Sequence, residues 1–213
     1  MTLDLAFAVK VFAALFAIMN PIANIPIYLS LTEGCSDADR RRIAAVAFVG
    51  VAIGCVISAA AGSAILGAFG LTVNDFRLAG GLLVLLIALS MLHGMPSAQH
   101  QPSEKELSGH SLARDIAIYP LTIPLLVGPG TIATLIVFGH TAAAGGGIMG
   151  LVLGLATFLV LLAASLFSAP YLAHFLSPKV TAIAQRLMGM ILAAIAMQMM
   201  VASLKTAFMA KVG

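Results

Sequence analysis

Charged side chains are scarce in this chain: Asp, Glu, Lys and Arg make up 9% of its 213 residues, hydrophobic residues make up 61%, and mean hydropathy is +1.09. That balance excludes a soluble globular domain and points to an integral membrane protein, with the lipid bilayer as its first partner. The net charge of +3 and pI near 9.1 would hint at nucleic acid in a soluble protein. Here the charges flank apolar runs, and no nucleic-acid partner is expected. Cysteine is nearly absent. Cys35 and Cys55 are joined by chain that reads mostly as helix, at about 1.5 Å per residue, which sets them too far apart for a disulfide.

Other absences bear on chemistry. His93, His100, His110, His140 and His174 are dispersed, with no pair at zinc-ligand spacing. Gly62-Ser63 lacks a nucleophile elbow and a neighbouring base, and no nucleotide-binding loop occurs. An enzyme is therefore not expected, nor a metal or cofactor. A scaffold or sensor, the alternative to a transporter, would need a larger exposed domain than the polar stretch 94–114. The expected spans carry no Asp or Glu at their centres, so a proton relay lacks its usual carrier. Coupling to Na+ or to H+ stays open, with sodium served by carbonyls and hydroxyls freed at helix breaks.

Runs free of Asp, Glu, Lys and Arg cover 11–32, 43–74, 78–103, 116–178 and 187–204. A spanning helix takes roughly 20 apolar residues. Four of the runs therefore hold one span each, and 116–178 holds two, joined at Ala143-Ala144-Gly145-Gly146-Gly147. The expected fold is an all-α membrane protein with six transmembrane helices near 5–29, 43–66, 76–93, 115–139, 147–168 and 184–205. The first segment carries Asp4 rather than a basic leader and continues past Pro21 to Leu31, so it reads as a retained helix rather than a signal peptide.

The stretch 94–114, with Pro96, Pro102, Ser103, Glu104, Lys105, Glu106 and Gly109, reads as a solvent-exposed linker. It divides the chain into two three-helix repeats, 1–93 and 115–213. An odd number of spans per half forces the second half to enter the membrane upside down, giving an inverted pair. Asn20-Pro21 aligns with Gly128-Pro129, and Arg77-Leu78-Ala79-Gly80 with Arg186-Leu187-Met188-Gly189. The equal spacing of Pro21/Pro26 and Pro124/Pro129 supplies a competing register. Arg40, Arg41, Arg42, Lys105, Arg114, Lys179 and Arg186 fall on one side, against Lys10, Arg77, Lys205 and Lys211 on the other. The positive-inside tendency then puts both termini outside the cytoplasm.

The first and fourth expected spans are interrupted at Pro/Gly motifs. In hydrocarbon a backbone group freed by proline must find a protein partner or line a wet cavity. In Asn20-Pro21-Ile22-Ala23-Asn24-Ile25-Pro26, the two amide side chains are placed either to bind a solute or to satisfy carbonyls orphaned by Pro21 and Pro26. In Gly128-Pro129-Gly130-Thr131, glycine lets a ligand approach the main chain and a helix restarts, with Thr131 and Thr134 offering hydroxyls. The candidate substrate-binding residues are Asn20, Pro21, Asn24, Pro26, Gly128, Pro129, Gly130, Thr131 and Thr134. Arg77 and Arg186 read either as gates or as snorkelling cations, and Lys10 as a snorkelling cation. Gly50/Gly54 and Gly146/Gly150/Gly154 form small-residue stripes suited to close helix packing within the bundle, with a homo-oligomer contact as the other reading.

The motifs Asn20-Pro21-Ile22-Ala23-Asn24-Ile25-Pro26-Ile27-Tyr28-Leu29-Ser30-Leu31-Thr32 and Tyr119-Pro120-Leu121-Thr122-Ile123-Pro124-Leu125-Leu126-Val127-Gly128-Pro129-Gly130-Thr131-Ile132-Ala133-Thr134 resemble those of the MarC family of inner-membrane proteins, and the six-span layout fits the whole length. The resemblance implies six membrane helices in the bacterial inner membrane and a distant kinship with small amino-acid exporters. It also implies, for some members, transport of small neutral amino acids such as glycine and alanine. Ala23 stands where the family often has Gly. The expected mechanism is a zwitterion held between the two broken helices, its carboxylate on amides near Gly130 and Thr131 and its ammonium on carbonyls near Asn20 and Asn24.

Overall fold

The computed structural model describes residues 4–32, 34–93, 117–145, 147–172 and 177–212. Every regular element among them is helical: α1 (Leu5–Met19), α2 (Pro21–Leu31), α3 (Asp37–Ala68), α4 (Val73–Leu92), a π-helical segment (Ala117–Leu126), α5 (Pro129–Gly145), α6 (Ile148–Phe167), the short α7 (Ala169–Leu172) and α8 (Pro178–Val212). The expected linker 94–114 lies outside the described residues, as does Gly146.

Polar side chains next to the apolar runs start these helices. The Asp4 carboxylate accepts the Phe7 amide at 2.9 Å, and Ser36 Oγ accepts that of Asp39 at 3.1 Å. Thr72 and Asp75 form a reciprocal capping box at the head of α4. At its other end α3 stops where Gly70 takes a φ of +71° and Leu71 N–H returns to the Leu66 carbonyl, a left-handed stop that glycine adopts without strain.

Five helices are long and apolar enough to cross a membrane: Leu5–Leu31 (α1 and α2 together), Asp37–Ala68, Val73–Leu92, Ile148–Phe167 and Lys179–Met209. The fourth expected span is present as two pieces, Ala117–Leu126 and Pro129–Gly145. Neither piece reaches the roughly 20 residues of a continuous span. The bundle is apolar outside as well as inside. Val49, Ile53, Val56 and Ile57 on α3 and Leu82, Leu86 and Leu89 on α4 all stand exposed, the surface of a body solvated by lipid rather than water.

The helices exchange partners across the chain midpoint. α4 packs most extensively on α8, α3 on α5 and the π-helical segment, and α1 on α6. Glycine makes these approaches close. The stripe Gly50/Gly54 on α3 receives the π-helical segment and the residue after it, since a Cβ there would meet Thr122 and Val127. Gly150 and Gly154 on α6 lie against the Asp4 and Ala8 carbonyls of α1, and Gly81 and Gly189 seat α4 and α8 on each other. The expected small-residue stripes therefore serve contacts within one chain.

One substitution pair tests this packing. A Cβ at Gly154 would sit 2.5 Å from the Ala8 carbonyl oxygen, a backbone atom that cannot swing aside, whereas one at Gly67 meets nothing within 4 Å. Gly154→Ala is expected to destabilise the fold by about 1–3 kcal/mol. Gly67→Ala is expected to leave stability unchanged or raise it by up to about 1 kcal/mol. The check is the heating temperature at which each purified variant loses its monodisperse peak. Equal midpoints would mean that α1 and α6 do not approach this closely.

Candidate functional site

Both interrupted segments break at the motifs singled out by sequence. At the first, Asn20 takes φ 38° and ψ 72°, the left-handed region, and is the one described non-glycine residue with positive φ. Its N–H donates to the Phe16 carbonyl at 2.9 Å, closing α1, while its side-chain oxygen accepts the Ala23 amide at 3.3 Å, opening α2. Asparagine suits this position because its short amide tolerates αL and doubles as a cap. Pro21 follows at the first turn of α2, where a missing N–H is harmless. Asn24 Nδ2 donates to the Met19 carbonyl at 2.5 Å, tying α2 back across the break. The Oδ1 of Asn24 is buried without a hydrogen-bond partner.

The second break is held by threonines. Thr122 Oγ1 donates to the Ala117 carbonyl at 2.6 Å, and Val127 N–H reaches the Thr122 carbonyl at 2.8 Å. Thr131 Oγ1 donates to the Leu126 carbonyl at 3.1 Å, bridging the gap from α5 to the segment before it. The first amide to enter the hydrogen-bond ladder of α5 is Ile132, which donates to the Gly128 carbonyl at 3.0 Å. The amides of Gly130 and Thr131 precede it, at the electropositive end of the helix.

The breaks meet in one buried layer. A Cβ on Gly130 would lie 3.8 Å from Ile18, two residues before Asn20, and 2.9 Å from Ile87 Cδ1. Met19, Leu126 and Val127 share one core cluster. Of the candidate residues, Asn20, Pro21, Asn24, Gly128, Gly130, Thr131 and Thr134 are buried, whereas Pro26 and Pro129 are exposed. The two exposed prolines shape the backbone from the outer face and present nothing to the interior.

On the side of the layer nearer the start of α1, a cavity of about 210 Å³ opens between α1, α4, α5 and α8. Its polar lining is Lys10, Arg77, Thr134, Thr141 and Gln198, set among Phe7, Val137, Phe138 and Met199. Thr134, one helical turn after Gly130, is 1% exposed, and its hydroxyl has no hydrogen-bond partner; nor has the buried Nε of Arg77. Arg186, expected to correspond to Arg77, is exposed and takes no part in this cavity. Toward the end of α2 a second hollow of about 250 Å³ is lined by Tyr28, Asp37, Arg40, Arg41 and Tyr171. There the Tyr28 hydroxyl donates to the Arg40 carbonyl at 2.7 Å, and Arg40 Nε donates to the Thr32 carbonyl at 3.2 Å.

Sequence reasoning passed over Lys10, Thr141 and Gln198. A lone lysine among apolar neighbours reads as a snorkelling cation, and only tertiary structure brings it to Arg77. The signal that was available is on α5: Thr134, Phe138 and Thr141 recur at helical spacing, placing two hydroxyls on one face of a membrane segment.

A family profile described as "MarC family integral membrane protein" matches residues 5–208. A UPF0056 membrane protein of Escherichia coli, YhcE, is 33% identical over 199 residues, 93% of this chain and 92% of its own. YvbG of Bacillus subtilis, also named a UPF0056 membrane protein, is 34% identical over 206 residues, covering 95% and 96%. The UPF0056 membrane protein MJ1677 of Methanocaldococcus jannaschii is 31% identical over 207 residues, covering 97% and 100%. No solved structure matches.

Proposed function

We propose that this chain, which belongs to the MarC family of integral membrane proteins, is a secondary transporter of small neutral amino acids of the glycine and alanine kind, or of similar small solutes, in the bacterial inner membrane. The observation that carries the reading is a buried acceptor without a partner at a helix break: Asn24 Oδ1 at α1/α2. An unmet polar atom in a membrane interior is expensive, and a solute that satisfies it in passing accounts for its retention. The ammonium of a zwitterion suits Asn24 Oδ1, and its carboxylate suits the amides of Gly130 and Thr131 at the first turn of α5.

The exchanged contacts support two inverted three-helix repeats. α1 of the first half crosses α6 of the second, α5 of the second crosses α3 of the first, and α4 and α8 pair with each other, as a two-fold axis in the membrane plane would require. The bias of Lys and Arg between the two sides favours both termini outside the cytoplasm. The hollows near the two ends of the first interrupted span are the two vestibules of an alternating-access carrier, separated by the layer of buried breaks. The wild-type carrier alternates by rocking one half on the other.

The test is flux of labelled glycine and alanine through proteoliposomes. Asn24→Ala is expected to lower it by about 10-fold or more, since it removes both the tie to Met19 and the free acceptor. Gly130→Ala places a methyl against Ile87 Cδ1, a flexible chain end that can move, so the protein folds and flux falls. Gly67→Ala, in open space, should match wild type. Absence of flux in the wild type, or full flux in both Asn24→Ala and Gly130→Ala, removes the carrier reading.

A further inference from the structure

The cavity beside Lys10 and Arg77 has an electrostatic imbalance that packing does not explain. Its described lining holds two cations and no carboxylate. Asp75, the nearest acid in sequence to Arg77, is committed elsewhere: Asp75 Oδ2 accepts from the Thr72 amide at 3.1 Å and from the Thr72 hydroxyl at 2.6 Å, closing the capping box of α4. Nothing else among the described residues pairs with Arg77, and its Nε is buried without an acceptor. The arginine is nonetheless held in place. Three residues before it, Asn74 Nδ2 donates to the Ser203 carbonyl at 3.2 Å while Ser203 Oγ donates to the Asn74 carbonyl at 2.7 Å. That reciprocal pair clamps the head of α4 to α8, beside Gln198. A second unmet group, the Thr134 hydroxyl, lines the same cavity one turn from Gly130.

Donors without acceptors around a largely apolar, half-open cavity describe the complement of an anion. We infer that Arg77, Lys10 and Thr134 form a binding site for the carboxylate group of a small solute, a waiting station from which the solute reaches the helix breaks. A guanidinium held by its helix offers a planar fork to two carboxylate oxygens, Lys10 adds charge at the mouth, and the Thr134 hydroxyl donates from the deep end. At about 210 Å³ the space is below the roughly 300–1,000 Å³ of pockets for drug-sized ligands, which limits the solute to a few heavy atoms. As a station on a transport path the inference rests on the carrier reading, but as a binding site it is measurable without flux.

The full chain in phosphatidylcholine nanodiscs is titrated calorimetrically with sodium acetate, glycine and ethanolamine. Acetate and glycine should bind and ethanolamine, which has the ammonium and no carboxylate, should not. Arg77→Gln should weaken acetate binding by about 10-fold or more, the scale of a charge-assisted hydrogen bond. Arg77→Lys should recover part of it, Lys10→Gln should weaken it by a smaller factor, and Arg186→Gln should leave it unchanged. Lys10 is exposed, so its variant keeps the test valid where Arg77→Gln does not fold. Acetate that fails to bind, ethanolamine that binds equally well, or affinities indifferent to both Lys10 and Arg77 overturn the site. Competition by phosphatidylglycerol added to the discs assigns the cations to a lipid headgroup and overturns it too. Glycine flux that depends on Asn24 while acetate never binds sinks the site and leaves the carrier. Arg77-dependent acetate binding without any flux does the reverse.

Discussion

Gly139→Leu is expected to leave no folded protein to purify. Gly139 lies where α5 crosses α3, and a methyl group added to it would overlap the carbonyl group of Ala59 and lie 3.1 Å from its Cα. Every one of those atoms is backbone inside a long helix, so no rotamer change relieves the clash. The helices must separate, and separation empties the contact along its length: Gly62 of α3 lies against Ile136 of α5, and Gly54 against Val127. Overpacking that a side chain can absorb costs about 1–3 kcal/mol. Prying two backbones apart exceeds that range and approaches the roughly 5–15 kcal/mol that holds a typical protein together. Gly139→Ala adds that same methyl and should already lower the yield severely, and Gly145→Leu, six residues on in open space, should behave as wild type. The readout is the yield of monodisperse protein after extraction in mild detergent. Normal yield from Gly139→Leu would show that α3 and α5 do not cross there.

That crossing also marks how far sequence alone reaches. The spans were legible because bilayer thickness sets a length that uncharged runs either meet or miss, and the starts near Asp4, Ser36 and Thr72 follow from caps beside those runs. The breaks at Asn20 and Gly128 were legible because proline and glycine act locally. What each break does with its polar groups was not, since that depends on partners. Asn20 caps a helix with its side-chain oxygen, Thr131 spends its hydroxyl on Leu126, and Pro26 and Pro129 turn outward. The cavity was least legible of all. Lys10, Arg77 and Thr134 sit on three different helices, and Arg77 and Arg186, alike in local sequence, end in unlike surroundings because one faces the bundle and the other does not.

Asn20→Leu should be the most damaging change at either break. Two separate demands fall on this one residue. Its backbone occupies the left-handed region at φ 38°, which costs an ordinary L-residue roughly 1–2 kcal/mol. Its side-chain oxygen caps the Ala23 amide, which also donates to the Asn20 carbonyl at 3.1 Å, a contact worth about 1 kcal/mol. Straightening the chain into a rod offers no escape, because Pro21 has no N–H to donate and Asn24 is already tied to the Met19 carbonyl. These losses share a partner and do not simply add, giving an expected destabilisation of about 2–4 kcal/mol. Asn20→Gly separates the demands: glycine accepts the left-handed conformation and loses only the cap, so its loss should be about 1 kcal/mol or less. Thermal midpoints should therefore fall in the order wild type, Asn20→Gly, Asn20→Leu, with labelled-glycine flux surviving in the glycine variant and absent from the leucine one. If leucine equals or exceeds glycine in stability, the left-handed turn is not what holds the break open, and the junction of α1 with α2 must be a flexible one.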